Sequence, residues 1–426
     1  MKILFSFLIC INLYANIAEH FGASTTTMGL AGQSNFKSSD PSNNIYAAAI
    51  LADEMKTSYS LSSYYVQTNF KKISKVVTDS PINSGETTEK YGSIDPNPDS
   101  QMYSAFHGSF ALFKAIKSKL NISFFLPSEK IFEANSGDPY RPEYVMYNSR
   151  FNRTIGYVTY AQKLESFNFS IGFMSGIQSN GETFIIAKDN GSQTPSSGKM
   201  QFNAKPSTAL NFSFSKETDW GTSFFSFQDE MKSKFENKAS GYTPIGAGPI
   251  NFSWDMSSML FYDPRIYRLS HNFKNYFFSL EYQDWSGYET PVLKMKSNSS
   301  STFVSSSPLE NFTTQSILIP KVGFTISDFN IGVSYKPSPL KLKDGAAGNS
   351  IDTDTFNLGL GYNYQFRFLD QSFLLSSAIQ YQRLKEITIK KDPKRENGEN
   401  GEKIGAPSYK VGGDVYALSI GLSWVL

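Results

Sequence analysis

The residues most able to carry out chemistry in this sequence are one histidine and one serine. In the segment SAFHGSFALF, His107 and Ser109 are two positions apart, and residues two apart on a strand share a face. A histidine beside a serine is the beginning of a nucleophilic hydrolase site. However, the other face of the strand carries Phe106, Phe110 and Leu112, and no third polar residue is placed to orient the imidazole. We therefore predict that the chain is not an enzyme.

The remaining reactive side chains indicate neither a metal site nor a cofactor site. His20 and His271 are far apart in the sequence, and neither has metal-ligand spacing to other residues. The only cysteine, Cys10, lies in an N-terminal apolar run. Once that run is removed, thiol chemistry and cysteine-ligated metals are not expected.

The first fifteen residues have the order of a secretory signal. Lys2 precedes a short apolar run, and a small residue, Ala15, follows. This order is typical of a signal peptide over residues 1–15, with Ala18 as the alternative cleavage site. A lipoprotein signal at Cys10 is less favoured, because Ile9 is bulky for the position before a lipidated cysteine.

The charge balance gives no reason to expect a nucleic-acid partner. Without Lys2, 39 basic residues stand against 38 acidic ones, so no strongly anionic partner is indicated. No later apolar run reaches the roughly 18 residues that a transmembrane helix needs. Yet aromatic residues make up 15% of the chain, with 36 Phe and 24 Tyr.

A period-two alternation accommodates these aromatic residues. In residues 416–426 every second residue is large and apolar, and small residues stand between them. Residues 356–367 repeat the pattern over twelve positions. Soluble strands run to about five or six residues, whereas membrane-barrel strands need about ten. The pattern therefore predicts long strands with one apolar face.

The connections between these strands alternate in length. Links such as KAIKS, HNFK and LDQS are short, whereas residues 71–100, 291–308 and 390–407 are long and polar. Periplasmic turns and extracellular loops alternate in this way in outer-membrane barrels, which must close because lipid cannot satisfy unpaired backbone groups. We predict an all-β fold, a 14-stranded antiparallel transmembrane β-barrel over residues 54–426, with strands at 56–70, 101–113, 119–133, 151–164, 167–187, 199–215, 220–235, 251–270, 275–290, 309–327, 330–341, 354–367, 372–389 and 408–426. A count of twelve or sixteen, and a secreted soluble β-protein, are the alternatives.

The residues before the first strand differ from the rest. Residues 20–53, HFGASTTTMGLAGQSNFKSSDPSNNIYAAAILAD, are rich in small residues and hydroxyls and follow neither helical nor strand periodicity. A fourteen-stranded lumen would leak unless something filled it. Glycines permit tight turns, and hydroxyls can satisfy polar wall groups. We predict a luminal hatch, or plug, over residues 16–53, with a flexible periplasmic tail as the alternative.

This segment resembles the hatch of the FadL-type outer-membrane transporters of long-chain fatty acids and other hydrophobic compounds. The family phrase is matched in order by Phe21, Gly22, Met28, Gly29, Ala31, Gly32, Asp40, Pro41, Ser42, Tyr46, Ala49 and Leu51. LEYQDWSGY and IPKVGFTISDFNIGVSYKPSP add to the resemblance. One departure is Ala47, Ala48 and Ala49 in place of the family's Asn-Pro-Ala, so gating that depends on that motif is in question.

The resemblance implies passive uptake of a hydrophobic or amphiphilic, fatty acid-like molecule across the Gram-negative outer membrane. The cargo would bind in the lumen, the hatch would move, and the cargo would leave sideways into the bilayer. The implied partners are outer-membrane lipid and the barrel-assembly machinery. The implied ligand-binding residues are Phe21, Met28, Leu30, Tyr46, Ile50, Leu51, Lys321 and Arg367.

Other roles are compatible with the same pattern. Lys321, Lys336 and Arg367 could meet a carboxylate head, or could simply pair with acids in a polar lumen. Loop aromatics could form an outer ligand groove or anchor the interface, and they are Tyr140, Tyr144, Tyr147, Tyr242, Phe303 and Phe312. A general porin or a surface adhesin is the alternative function.

Overall fold

Fourteen strands close into one antiparallel ring in the computed structural model. Each wall strand pairs with its neighbours in the sequence, and the last pairs with the first along the whole of the first strand. The closed barrel and its predicted strand count are confirmed. The structure describes residues 18–78, 90–98, 100–127, 142–147, 153–176, 179–187, 196–204, 207–245, 248–289, 294–297, 312–345, 350–369, 371–391 and 408–426.

The wall strands are labelled in chain order. They are β1 (Ser58–Phe70), β2 (Gln101–Phe113), β3 (Ser118–Pro127), β4 (Ile155–Lys163), β5 (Asn168–Gly176), β6 (Thr208–Thr218), β7 (Gly221–Gln228), β8 (Arg265–Phe273), β9 (Tyr276–Asp284), β10 (Ile317–Ile326), β11 (Phe329–Lys336), β12 (Thr355–Phe368), β13 (Gln371–Lys390) and β14 (Ser408–Val425).

The outward face of the wall is apolar. On β14, Leu418 and Ile420 are 49% and 62% exposed, whereas Ala417 and Ser419 between them are buried. β12 shows the same alternation, with Phe356 and Leu360 outward. Large apolar side chains in such number are stable only when lipid is their solvent. The wall is therefore built to stand in a bilayer.

Short connections gather at one end of the barrel, called here the turn end, and long ones at the other, called the loop end. The loop-end segments contain further strands, of which five form one sheet: Ser179–Ala187, Ser196–Ala204, Met231–Ile245, Gly248–Asp263 and Lys294–Ser297. Shorter loop pairings join Ile73–Thr78 with Lys90–Ile94, Phe312–Thr314 with Leu340–Leu342, and Glu143–Tyr144 with Ser350–Ile351.

This loop sheet corrects four of the predicted strands. The predictions 167–187, 199–215, 220–235 and 251–270 each joined a wall strand to a loop-sheet strand, whereas the wall strands themselves end at Gly176 and Gln228 and begin at Thr208 and Arg265. The alternation continues from the wall into the loop sheet, because both have period two. Hydrophobic pattern alone therefore cannot locate the break, although Pro264 marks one of these junctions.

The N-terminal segment (residues 18–56) is buried inside the ring. Its helices are α1 (Ala18–Phe21), α2 (Thr25–Gly29) and α3 (Asn44–Ala47), with 3-10 turns at Pro41–Asn43 and Ala48–Asp53; another 3-10 turn, Lys114–Ile116, follows β2. In the part of the chain that the structure describes, no helix is both long and apolar enough to span a membrane. The predicted signal peptide lies outside the described residues.

Candidate functional site: the contact between the N-terminal segment and the wall

The first half of the N-terminal segment lies against a wall surface that is lined with glycine. Helix α2 begins with a capping box, in which Ser24 and Thr27 satisfy each other's backbone N–H groups. The chain beyond it then approaches the wall closely. A methyl group on Gly332 would lie 2.2 Å from the carbonyl carbon of Leu30, and one on Gly359 would lie 2.4 Å from the carbonyl oxygen of Met28. Only glycine permits this approach. The wall glycines that face the segment are Gly323, Gly332, Gly359, Gly361 and Gly421.

Hydroxyl groups complete the contact of α2 with the wall. The Thr25 Oγ1 atom is 2.7 Å from the Ser419 Oγ atom, and both the backbone N–H and the hydroxyl of Thr25 donate to Ser62 at 3.2 Å. Thr26 donates to Asn363 at 3.3 Å. These are neutral hydrogen bonds, which stabilise a contact by about 1 kcal/mol each.

The second half is fastened near the turn end by charged and amide groups. Lys119 on β3 donates to the carbonyl oxygens of Glu54 and Lys56 at 3.0 and 2.8 Å. Lys163 on β4 forms an ion pair with Asp53 at 2.7 Å. Higher in the lumen, the Asn44 amide donates to Ser123 on β3 at 2.9 Å.

His107 and Ser109, the candidate catalytic residues, face the lumen but are engaged separately. The His107 Nε2 atom lies 2.7 Å from the carbonyl oxygen of Ala23, and its Nδ1 atom lies 2.8 Å from the Ser123 Oγ atom. Ser109 donates to Asn121 at 2.6 Å. His107 therefore joins the N-terminal segment to β2 and β3. No group of three metal-ligating side chains occurs among the described residues.

A buried charge cluster stands beside the segment. Glu281 on β9 pairs with Arg268 on β8 at 2.8 Å and with Lys321 on β10 at 3.2 Å. Lys321 also donates to the carbonyl oxygen of Gly32 at 2.8 Å, and Arg268 lies over the ring of Tyr46 at 5.9 Å. Of the two interpretations of Lys321, this geometry favours the acid pair: the ammonium already serves Glu281 and the segment.

A second buried pair lies closer to the loop end. Arg153 binds Asp263 through its Nη2 atom and lies 5.0 Å from the centre of the Phe261 ring. Within the described structure its Nε and Nη1 groups are buried without an acceptor, and so is the Tyr157 hydroxyl. Buried donors of this kind are normally satisfied, so these groups are available to a hydrogen-bond acceptor.

The predicted ligand-binding residues fall into two groups. Phe21, Met28, Leu30, Tyr46, Ile50 and Leu51 are all buried between the segment and the wall, and Lys321 joins them. Arg367 is exposed beside the turn that follows β12, so the structure does not bring it to the segment. Arg367 lies near the end of β12, beyond the part of the strand that borders the lumen, and for this reason it is not close to the N-terminal segment.

Sequence reasoning missed Arg153, Arg268, Glu281 and the wall glycines. Arg268 and Glu281 alternate with outward Leu269 and Leu280, so a charge on the non-lipid face of an apolar strand was the available signal. Arg153 precedes its strand and carries no such signal.

Two of the loop aromatics, Tyr144 and Tyr147, lie beside the N-terminal segment and the wall. Tyr144 exchanges two hydrogen bonds with the backbone of Gly412, at 3.1 and 2.7 Å, and stacks on Phe70. The Tyr147 hydroxyl donates to Gln382 at 3.0 Å, and Gln382 in turn donates to the carbonyl oxygen of His20 at 2.8 Å. Tyr144, Tyr147 and Phe312 are thus buried; Tyr140, Phe303 and the side chain of Tyr242 lie outside the described part of the chain.

One carboxyl group at this end is unusual. Asp352 lies in the loop between β11 and β12 and accepts a hydrogen bond from the Ser338 hydroxyl at 2.6 Å. Burial raises the pKa of Asp352 to about 6, against the opposing effects of that hydrogen bond and of the Lys336 charge. Lys336 in turn lies 3.3 Å from the His20 ring, so this carboxyl is linked to α1.

Comparison with known proteins places the fold. No family model and no curated protein matches the chain. Solved structures do: the CymD monoaromatic hydrocarbon channel matches over 96% of this chain and 98% of its own, with 10% identity and a TM-score of 0.50. The P. putida toluene transporter TodX matches over 96% of this chain and 99% of its own, with 10% identity and a TM-score of 0.49. The Ralstonia pickettii toluene transporter TbuX matches over 96% of this chain and 99% of its own, with 10% identity and a TM-score of 0.46.

The chain is thus a fourteen-stranded barrel with an internal N-terminal segment. That is the fold of CymD, and the FadL-type resemblance seen in the residues is confirmed at the level of the fold.

Proposed function

We propose that this chain is a passive outer-membrane channel for hydrophobic small molecules, with the N-terminal segment as its hatch. The observation that carries this proposal is the occupied lumen. An apolar, closed wall surrounds a segment that is buried from Ala18 to Ala52 apart from a short stretch around residue 37. A general porin needs an open aqueous channel, whereas a gate for apolar cargo needs a removable plug.

The same geometry favours sideways exit of the cargo into the bilayer. An apolar chain gains about 0.8 kcal/mol for each methylene group removed from water. A route straight through to the periplasm would return every methylene to water, but a route through the wall keeps the cargo in an apolar solvent. We therefore propose that the hatch moves and the cargo leaves between strands.

The buried donors of Arg153 and Tyr157 support a cargo with a hydrogen-bond acceptor at one end. Lys321 already contacts Glu281 and the N-terminal segment, whereas the buried Nε and Nη1 groups of Arg153 have no acceptor within the described structure. An N–H group of a guanidinium donates a charge-assisted hydrogen bond to a carboxylate oxygen. Long-chain fatty acids therefore fit the site, and monoaromatic hydrocarbons, the compounds named for CymD, would use the apolar part alone.

Uptake assays test this proposal. Cells that carry the chain are expected to take up a fluorescent long-chain fatty acid or radiolabelled toluene faster than cells without it. In planar bilayers the intact protein is expected to conduct small ions poorly, and a variant that lacks residues 18–53 is expected to conduct well. Equal uptake with and without the protein would refute the proposed transport of this cargo. High conductance of the intact protein would refute the proposal that the N-terminal segment blocks the lumen.

A further inference from the structure

The outward surface of β13 and β14 changes from apolar to cationic towards the loop end. Ile379, Tyr381, Arg383 and Lys385 take successive outward positions on β13. Ile379 is one of the exposed lipid-facing side chains. The Tyr381 hydroxyl donates to Asp414 on β14 at 2.6 Å. A tyrosine with an apolar ring and a bonded polar tip is typical of the membrane–water boundary, so Arg383 and Lys385 stand just above that boundary.

Acidic residues beside β13 hold these cations in place: Asp414 on β14 and Asp354 just before β12. The Arg383 Nη1 atom lies 2.8 Å from Asp414, and the Lys385 Nζ atom lies 3.3 Å from Asp354. The cations are 54% and 66% exposed, and their acids only 15% and 26%. The positive charge therefore faces outward, and the negative charge is largely covered.

Two further lysines extend this row. Lys71, just after β1, and Lys410 on β14 both pair with Glu386, and Lys410 is 71% exposed. The cationic row (Lys71, Arg383, Lys385 and Lys410) therefore runs from Arg383 towards the loop end across the neighbouring β1, β13 and β14, with more cations than acids beside it.

On the opposite side of the barrel, near the loop end, carboxylates outnumber cations. There Arg265 on β8 pairs with Asp229 at 2.9 Å, and Lys232 pairs with Glu230 at 3.0 Å. Asp284, at the end of β9, adds a further carboxylate, which accepts from Ser286 and Ser316. Between these two sides, and among the residues that the structure describes, the excess positive charge therefore belongs to the side of β13 and β14.

We propose that the cationic row binds the phosphorylated headgroup of a lipid in the outer leaflet. The row lies where such headgroups stand, and the apolar surface of β13 and β14 beneath it would contact the acyl chains. Guanidinium and ammonium groups are the usual phosphate ligands. This inference rests on the outer-membrane location in the proposed function, but not on the cargo or on the hatch.

A titration with defined lipids tests this site. The purified full-length protein in detergent would be titrated with diphosphoryl lipid A, with the same glycolipid after phosphate removal, and with excess inorganic phosphate as competitor, and bound lipid would be counted by native mass spectrometry. Arg383→Gln/Lys385→Gln is expected to weaken lipid A binding about tenfold, since each cation near an anionic headgroup contributes severalfold. The matched control, Arg265→Gln/Lys232→Gln, is expected to bind as the wild type does.

Each outcome decides the matter. Selective loss in the β13 variant, with weak binding of the phosphate-free glycolipid and little competition by inorganic phosphate, supports the site. Equal binding by both glycolipids, unchanged binding by the β13 variant, or an equal loss in the control overturns it. Cell fractionation tests the location separately: a chain found outside the outer membrane refutes the proposed function itself, whereas correct location with no lipid A binding refutes only this site.

Discussion

The two halves of the N-terminal segment are attached to the barrel by different chemistry. The front half (residues 18–36) lies on the glycine-lined surface of β10 to β14 and is held mainly by neutral hydrogen bonds from Thr25 and Thr26. The rear half (residues 41–56) is fastened at the turn end by Lys119 and Lys163. A close but weakly bonded surface can separate at low cost, whereas buried charged groups cannot be left unpaired.

Under the proposed function, in which the N-terminal segment acts as a hatch, this difference points to the part of the segment that would move. We infer that the front half leaves the wall and that the rear half remains as the hinge. Charged contacts on the front side include Lys321, which joins Gly32 to the Glu281 cluster, and Lys336, which lies 3.3 Å from the His20 ring. The following predictions separate the two halves.

The largest effect is expected at the charge cluster. Glu281→Gln leaves Arg268 and Lys321 buried without their counter-charge, a change that typically costs about 3–5 kcal/mol. We expect a lower free energy of unfolding in urea and a lumen that conducts more ions, because Lys321 no longer holds the front half firmly. Glu217→Gln, at an exposed position on β6, is the control. Unchanged stability in Glu281→Gln would contradict the cluster's role.

The glycine surface gives the next effect. Gly332→Ala places a methyl group within 2.2 Å of Leu30, and overpacking of this kind costs about 1–3 kcal/mol. We expect the front half to be displaced and protease to reach it in the folded barrel. Gly156→Ala on β4, where the neighbour is the flexible Phe124 ring at 3.1 Å, is the matched control. Equal protection in both variants would show that close contact does not seat the front half.

The rear anchor is predicted to matter for stability and not for release. Lys119→Met removes the donor to two backbone carbonyls at a cost of about 1–3 kcal/mol. We expect a lower unfolding midpoint with the front half still seated. Lys117→Met, at an exposed turn position, controls for the loss of charge. If protease instead cleaves the front half of Lys119→Met, the hinge has been placed wrongly.

The smallest effect is expected from Asp352. Because its folded pKa, about 6, exceeds its ordinary value of 3.8, the folded state holds a proton that the unfolded state has lost between these values. Stability therefore falls as the pH rises through this window and levels off above it. Asp352→Asn is expected to remove this slope and to raise stability at neutral pH by on the order of 1 kcal/mol. Urea unfolding of both proteins at pH 4.5 and 7.5 measures this difference in stability. The same pH dependence in both proteins would contradict the prediction.

The sequence predicts the barrel well and the interior only in part. Strict alternation, as in residues 356–367, identifies wall strands because lipid demands one apolar face along the whole span. It fails to end β5 at Gly176, because the loop sheet continues with the same period. The resemblance, and not the alternation, pointed to the apolar residues of the N-terminal segment from Phe21 to Leu51, which are buried in the structure; their binding of a ligand stays a prediction.

Side-chain partners could not be predicted in the same way. Asp263, the partner of Arg153, belongs to a distant part of the ring, and the partners of Glu281 depend on the register of the adjacent strands β8 and β10, which a single sequence does not give. Arg367 shows the same limit, since its residue type suits a carboxylate but its exposed place near the end of β12 could not be seen in the sequence.

A disulfide lock on the front half tests the central claim most directly. In Thr25→Cys/Ser419→Cys the two side chains replace hydroxyls 2.7 Å apart, and in Ser270→Cys/Ser279→Cys they replace hydroxyls 2.6 Å apart within the wall; such pairs can approach disulfide geometry. We predict that the oxidised first variant loses fatty acid uptake and regains it on reduction, and that the oxidised second variant transports normally. Undiminished uptake by the oxidised first variant would show that the front half does not move.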